Sequence, residues 1–273
     1  MSRIAIDEIV RRIHDLPSLP AVVAELLASM DDDDVDLHQL AGKIALDQAL
    51  TAKTLRLANS SFYGMQSKVT NIQQAMSVLG FHSVRTLVTA CGVIGGVPAV
   101  PGMRLDFTAF WRHSIATAVW ARALARRLRQ SPDTAFTAGL LHDLGKLVLA
   151  TRFPAEYAEV ENWRQEHGGS VSEAQLQFFG VDDTQTGGAL AAHWKFPPAI
   201  QDAISQHHRP AAAGLAQAVY LANLLAEPAE AADVNDEARE QAWAVLGVDD
   251  DERQEITASC ELVFNDMCRI LVG

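Results

Sequence analysis

The stretch GLLHDLGK, residues 139–146, ends an apolar helical pattern on an adjacent histidine and aspartate. Neighbouring residues of a helix point about 100° apart. His142 and Asp143 can therefore bind the same ion only where the helix ends. A shared metal would have to lie beside that end, with further ligands from other helices. Lys146 follows one turn later and is a candidate contact for a phosphate, although a lysine near a helix end also interacts favourably with the helix dipole.

Three further histidines are candidates for the same site. His113 lies on a largely apolar helical stripe that we expect to face inward, and His207 and His208 stand at a predicted helix end. A cluster of imidazoles with a carboxylate suits a divalent transition metal such as Fe, Mn, Ni or Zn, which could polarise a phosphoryl oxygen. Each histidine taken singly could instead be an imidazole bonded to a backbone carbonyl, and this alternative stays open.

The rest of the chain has the same helical character. Apolar residues recur at spacings of three and four, whereas alternating strand patterns with hairpin dipeptides are missing, so the sequence predicts an all-α fold. Asp36, Asp47 and Ser131 are placed as helix N-caps, and Gly80 suits a left-handed helix end. The predicted helices cover 4–14, 21–30, 37–45, 48–59, 72–79, 82–91, 107–128, a segment from 132 that ends in 139–145, and then 155–167, 172–179, 184–193, 198–206, 215–226, 235–246 and 250–271.

The Gly/Pro-rich segment 92–102 interrupts the helical period and predicts a boundary between two closely packed helical subdomains. We expect an amino-terminal helical subdomain over residues 1–94, a second over 101–226 and a C-terminal helical extension over 227–273.

Composition narrows the classes of function. The formal net charge of -12 repels both nucleic acid and an anionic membrane, so we expect neither as a partner. The three cysteines have no CxxC or Cys/His spacing and are expected to be reduced, buried thiols. Charges interrupt the apolar residues at the amino terminus, so no signal peptide is predicted. Together these features predict a cytoplasmic protein.

One nucleic-acid hypothesis nevertheless deserves a test. The helices predicted at 72–79 and 82–91 have the order of a helix-turn-helix, although core packing explains the same pattern. The concentrated basic patch of the sequence consists of Arg122, Arg126, Arg127 and Arg129, which we interpret as a solvated face or a partner-docking edge.

Several motifs in order resemble one known family. FWRHS around His113, GLLHDLGK and the pair His207-His208 resemble the HD superfamily of metal-dependent phosphohydrolases. The segments LPSLPAVVAELL, LTAKTLRLANSSFYG and VTNIQQAMSVLG resemble the HDOD family, an HD-related output domain of bacterial signalling proteins. The likeness covers most of residues 16–210. It implies an amino-terminal HDOD subdomain followed by an HD-like subdomain.

The resemblance also implies what this sequence has lost. Compared with the related HD-GYP phosphodiesterases, His113, His142, Asp143, His207 and His208 match positions that bind a two-metal centre. Three other positions differ: Ala109 replaces an acidic residue, Asp183 a histidine and Asn223 an aspartate. Alanine cannot ligate a metal and neutral asparagine is a weaker ligand, while Asp183 remains a candidate ligand.

The expected function is therefore a signal-transduction module, non-catalytic and with a degenerate metal site. The alternative is a metal-dependent phosphohydrolase or phosphodiesterase that acts on a nucleotide or cyclic dinucleotide, with Lys146 holding a phosphate. Expected partners are other signalling proteins, with a small phosphorylated ligand and self-association as further candidates.

Overall fold

A computed structural model describes Glu8, Ile9, Arg11, Tyr63 and the ranges 21–28, 36–60, 68–96, 103–210, 213–227 and 236–272. Every regular element within these residues is an α-helix, which confirms the predicted all-α class. Of the predicted helix at 4–14 only Glu8, Ile9 and Arg11 are described, all three helical, and the segment 97–102 lies outside the described residues.

The described helices follow one another in chain order. They are α1 (Ala21–Ala28), α2 (Leu37–Ala45), α3 (Gln48–Ala58), α4 (Ile72–Leu79), α5 (Phe81–Gly96), α6 (Phe107–Ala125), α7 (Pro132–Leu141), α8 (Leu144–Arg152), α9 (Pro154–His167), α10 (Val171–Phe178), α11 (Asp183–His193), α12 (Pro198–Gln206), α13 (Leu215–Ala226), α14 (Asp236–Leu246) and α15 (Asp250–Leu271).

The predicted caps mark real helix starts. The carboxylate of Asp36 accepts hydrogen bonds from two backbone N–H groups of α2, and Asp47 and Ser131 each accept one at the starts of α3 and α7. These bonds satisfy N–H groups that have no partner within the helix. Gly80 ends α4 with φ 84° and ψ 158°, a conformation that only glycine adopts readily, and α5 begins at the next residue.

Helix α5 is the buried centre of the amino-terminal half. It packs against α1, α3 and α4, and also against α7 of the following half. The predicted helix break at Gly92 is wrong, because α5 continues to Gly96. Gly92 serves packing instead: a Cβ there would lie 2.3 Å from the Cγ2 of Val23 in α1.

Burial of α5 also argues against the helix-turn-helix hypothesis. A recognition helix must expose its side chains to a groove, but Ser83 and Arg85 of α5 are 8% and 3% exposed. Two arginines of the basic patch also form ion pairs within the fold. Arg122 pairs with Asp133, and Arg127 pairs with Glu252 of α15.

The later helices surround α6. This helix packs against α7, α13 and α15, and α8 packs against α11, which in turn contacts α12. Helix α15 touches both α6 and α3, so it spans the two halves.

Two predicted bounds in this half are wrong. Helix α6 ends at Ala125 instead of residue 128, because the chain turns and Arg129 takes a positive φ of 56°. Helix α8 was not predicted as a separate helix; the chain turns after residue 141 and a new helix begins at residue 144.

No helix among the described residues is long and apolar enough to cross a membrane.

The three cysteine thiols are expected to be unreactive in the folded protein. All are buried, and burial raises the pKa of Cys91 and Cys260 to about 12 and that of Cys268 to about 11. Since the thiolate is the nucleophile, we expect iodoacetamide near neutral pH to label native protein at least about a hundredfold more slowly than unfolded protein. Mass spectrometry of each cysteine peptide measures this, and rapid labelling of any native thiol would contradict its burial.

Candidate functional site

His142 and Asp143 form the turn between α7 and α8. Glycines on either side of the pair let neighbouring helices approach. A Cβ at Gly139 would lie 2.9 Å from the backbone of α6, and one at Gly145 would lie 1.9 Å from the carbonyl oxygen of Asp183 in α11. The motif therefore brings two other helices to its histidine and aspartate.

The remaining predicted residues come from these neighbours and from α12. His113 lies in the second turn of α6, Asp183 begins α11, and His207 and His208 directly follow α12. The structure brings all of them to the turn of His142 and Asp143. His207 and Asp183 are buried, whereas His113 and His208 are partly exposed.

The first group of side chains consists of His113, His142 and Asp143. The two histidine Nε2 atoms are 3.3 Å apart. The Asp143 carboxylate lies 3.8 Å from the Nε2 of His113 and 3.6 Å from that of His142. One atom of each residue falls within 4.8 Å of the others, a spacing that could hold a metal ion.

The second group consists of Asp183, His207 and His208, and it touches the first. One Asp183 oxygen lies 3.6 Å from the Nε2 of each histidine. The Nε2 of His207 is also 3.5 Å from Asp143, so Asp143 lies between the two groups.

Two histidines, one in each group, use Nδ1 in the same way. The Nδ1 of His142 lies 2.7 Å from the carbonyl oxygen of Gly139, and that of His207 lies 2.7 Å from the carbonyl oxygen of Ile204. A carbonyl only accepts, so Nδ1 carries the proton and donates, and in the neutral ring Nε2 keeps its lone pair. A carboxylate lies 3.4 Å from the Nδ1 of His113. This orientation is typical of metal-binding histidines.

Electrostatics favour the ligating forms of the central pair. Burial lowers the pKa of His142 to about 3, against the opposing charge of Asp143, so the ring is neutral near pH 7. Burial opposes ionisation of Asp143, but the charge of Lys146 and the contact with His207 hold its pKa well below the usual range.

Two groups around Asp143 are cationic. Burial would lower the pKa of His207, yet its contacts with Asp143 and Asp183 raise it to about 10. Burial also opposes the charge of Lys146, but Asp143, followed by Tyr157 and Asp183, raises its pKa. The proton on His207 thus balances two buried carboxylates, a role that a divalent cation could take over.

The donor set fits such a cation. Among the described residues, the Nε2 of His207 and the Oδ1 of Asp183 are buried and have no hydrogen-bond partner. The Oδ1 of Asn223 is a third such atom. Unsatisfied buried polar atoms are costly, and a metal would satisfy those of His207 and Asp183.

Sequence reasoning missed Glu227, whose carboxylate is the one beside the Nδ1 of His113. It follows α13, one turn after Asn223, and Arg239 of α14 donates a hydrogen bond to its carbonyl oxygen. The four-residue spacing from Asn223 was the available signal, because it places both side chains on one helix face. Ala109, four residues before His113, is exposed and carries no ligand group.

A cavity of about 790 Å³ opens from this site. His113, Asp143, Lys146 and Glu227 line one part of it, and most of the rest is lined by residues of α6, α15 and the end of α13.

This gathering of a His-Asp pair and further histidines at one turn of an all-helical protein is what the resemblance to the HD superfamily implies. Comparison with known families makes the assignment specific. The HDOD domain model matches residues 16–210, and the chain belongs to the HDOD domain family.

Three individual proteins are similar to this chain. An uncharacterised protein of Treponema pallidum (strain Nichols) is 26% identical over 199 residues, which are 72% of this chain and 38% of that protein. This chain therefore spans well under half of that relative. A solved structure from Shewanella amazonensis SB2B, described as a candidate phosphohydrolase, is 29% identical with a TM-score of 0.77, covering 96% of this chain and 97% of that one. The MmoQ response regulator of Methylococcus capsulatus (strain Bath) is 27% identical with a TM-score of 0.50, covering 88% and 96%.

Proposed function

We propose that this chain is a regulatory signalling module whose HD-type site binds a divalent transition metal, such as Fe, Mn, Ni or Zn, and acts without turnover. The residues that would hold the metal are His113, His142, Asp143, Asp183, His207 and His208. When bound, the metal would supply a Lewis acid and positive charge beside the cavity.

One observation carries the metal site. The Nε2 of His207 and the Oδ1 of Asp183 are unsatisfied buried atoms next to the Asp143 carboxylate. In the metal-free protein His207 meets the two carboxylates only at 3.5 and 3.6 Å, longer than a hydrogen bond, so a cation could replace its proton.

The absence of turnover is inferred from carboxylates that the site lacks. Ala109 offers no ligand and Asn223 is neutral, so less negative charge is available to offset a second cation. A two-metal hydrolytic centre needs that charge, whereas a single regulatory metal does not.

A second candidate is a metal-dependent phosphohydrolase or phosphodiesterase that acts on a nucleotide or cyclic dinucleotide. Asp183 favours it, because a carboxylate at this position is still a good metal ligand. Lys146 also favours it, because its Nζ lies 3.8 Å from Asp143 and it lines the cavity where a phosphate could bind. The description of the Shewanella relative as a candidate phosphohydrolase points the same way.

Metal content and turnover separate these candidates. Protein purified without chelator is analysed for bound metal, and thermal unfolding is followed during titration with Mn²⁺, Fe²⁺, Ni²⁺ and Zn²⁺. We expect bound metal, a higher melting temperature and no hydrolysis of cyclic dinucleotides, nucleotides or a generic phosphodiester. Robust turnover that is lost in His142→Ala would establish the enzyme instead. If the protein bound none of these metals, both candidate functions would be ruled out.

Glu227 provides a prediction about how His113 is oriented. Its carboxylate lies 3.4 Å from Nδ1, so Glu227→Ala is expected to weaken metal binding by about 10- to 100-fold. Glu227→Gln keeps an accepting oxygen and should lose less than about tenfold. Competition against a metallochromic dye measures both. Equal affinities in wild type and Glu227→Ala would show that His113 needs no such partner.

The likeness to a response regulator supports other signalling proteins as partners, and we propose the cytoplasm as the place of action. Self-association is a further candidate. Light scattering after size-exclusion chromatography tests it, and a monomer at all concentrations would exclude a stable homo-oligomer.

A further inference from the structure

A second cavity lies where α3 meets α15. Its volume is about 520 Å³, within the range of ligand pockets, and it shares no lining residue with the cavity beside His113. We call it the seam pocket. Its walls include Leu55 and Arg56 of α3, Lys68 before α4, and Asp266, Arg269 and Ile270 of α15.

The seam pocket is positively charged on a protein that is acidic overall. No Asp or Glu occurs in residues 48–105, the stretch that contains α3, α4 and α5, and this stretch carries five Lys and Arg residues. Asp266 is the one carboxylate among the described lining residues, and it pairs with Arg269. Arg56 and Lys68 are exposed and form no ion pair within the part of the chain that the structure describes.

Helix dipoles account for only part of this arrangement. Arg56 and Arg269 stand in the last turns of α3 and α15, where a cation complements about half a negative charge at each helix end. Lys68 lies outside the helices, so no dipole explains its place at the pocket. The three cations outweigh Asp266 and the two helix ends together. The pocket therefore keeps a positive potential that attracts an anion.

The lining favours an acidic peptide over nucleic acid as that anion. No aromatic side chain among the described lining residues could stack on a base, and the net charge of -12 repels a long polyanion. A short acidic segment brings its charge to the local cations alone. Leu55 and Ile270 are partly buried and offer an apolar contact that a purely polar anion would leave unused.

We propose that the seam pocket docks an acidic segment of a partner protein, in which carboxylates flank one apolar side chain. The carboxylates pair with Arg56, Lys68 and Arg269, and the apolar side chain packs on Leu55 and Ile270. Because these residues come from both α3 and α15, the bound segment joins the two halves of the chain. This docking site goes beyond the proposed function and does not depend on the metal.

Fluorescence anisotropy of a labelled peptide tests the docking site on the full chain. The probe is a short peptide in which glutamates flank one leucine. We expect it to bind at low salt and to bind more weakly at about 0.3 M NaCl, where charges are screened. Replacing every glutamate by glutamine should weaken binding by about tenfold or more. Replacing the leucine by serine should weaken it by about fivefold.

Charge variants locate the peptide on the protein. Arg56→Gln and Lys68→Gln should each weaken binding by about two- to fivefold. Asp266→Asn should strengthen it by a similar factor, a gain that a misfolded variant would not produce. Arg126→Gln is the matched control, because it removes the same charge from an exposed arginine just after α6 and should leave the affinity unchanged.

Four results would overturn the proposal. No binding at low salt, or equal affinity for the glutamate and glutamine peptides, would remove the acidic partner. An equal loss in Arg126→Gln and Arg56→Gln would show that the peptide does not sit at the seam pocket. A DNA duplex that binds more tightly than the peptide and is weakened by Arg56→Gln would assign the pocket to nucleic acid. Self-association that Arg56→Gln abolishes would make the occupant a second copy of this chain.

Discussion

The Gly145→Ala variant is expected to melt about 6–12 °C below the wild type. A Cβ at this position would lie 1.9 Å from the carbonyl oxygen of Asp183 and 2.5 Å from the backbone nitrogen of Gly187, so α8 and α11 must separate. Because these are backbone atoms, no side-chain rotation relieves the clash, and we expect a loss of about 3 kcal/mol or more. For a chain of this size each kcal/mol shifts the melting temperature by about 2–4 °C. Circular dichroism during heating measures it.

Gly42→Ala is the matched control. Gly42 is an exposed helical residue of α2, and a Cβ there would meet nothing within 4 Å. Alanine favours the helix by up to about 1 kcal/mol, so this variant should be as stable as the wild type or slightly more stable. Equal melting temperatures for Gly145→Ala and the wild type would show that α8 and α11 are not packed this closely.

Asp143→Asn is expected to reduce metal affinity by about a hundredfold or more. Its carboxylate approaches His113, His142 and His207, and its position between the two groups makes it the residue on which both depend. The amide removes the negative charge and leaves one weaker oxygen as a ligand. Equilibrium dialysis followed by elemental analysis gives affinity and stoichiometry.

The same change affects the metal-free protein. Lys146 and protonated His207 lose their common counter-ion, so we expect stability to fall by about 2 kcal/mol. Asp202→Asn is the control, because Asp202 is exposed on α12, the helix that leads to His207. It should alter neither metal binding nor stability. Unchanged Mn²⁺ affinity in Asp143→Asn would rule out a metal at this position.

The helices were largely predictable because their signals are local. Asp36 and Asp47 each precede an amphipathic run, and their caps form as expected. Gly92 misled the prediction because a glycine that breaks a helix and one that lets another helix approach look alike in sequence. Only the position of Val23 distinguishes them. Helix α8 was missed because the turn at His142 interrupts an apolar run without proline or a polar segment.

The candidate site was predictable in its residues but not in its geometry. The histidines and Asp143 could be named from motif and resemblance, and the structure gathers them at one turn, but their role as metal ligands stays a prediction. The acceptors for Nδ1 were beyond sequence reasoning, because Gly139 and Ile204 contribute backbone carbonyls. Glu227 was overlooked because its partner His113 lies on a different helix.

The contact of α15 with α3 has a consequence for biosynthesis. Leu55 of α3 and Ile270 of α15 line the same seam although roughly 200 residues separate them in the chain. At about 5–20 residues per second, a ribosome needs some 10–40 s to make the intervening polypeptide. During that interval the nascent chain contains α3 but not α15, so α3 lacks this contact. This is the period in which protection by a chaperone would matter most.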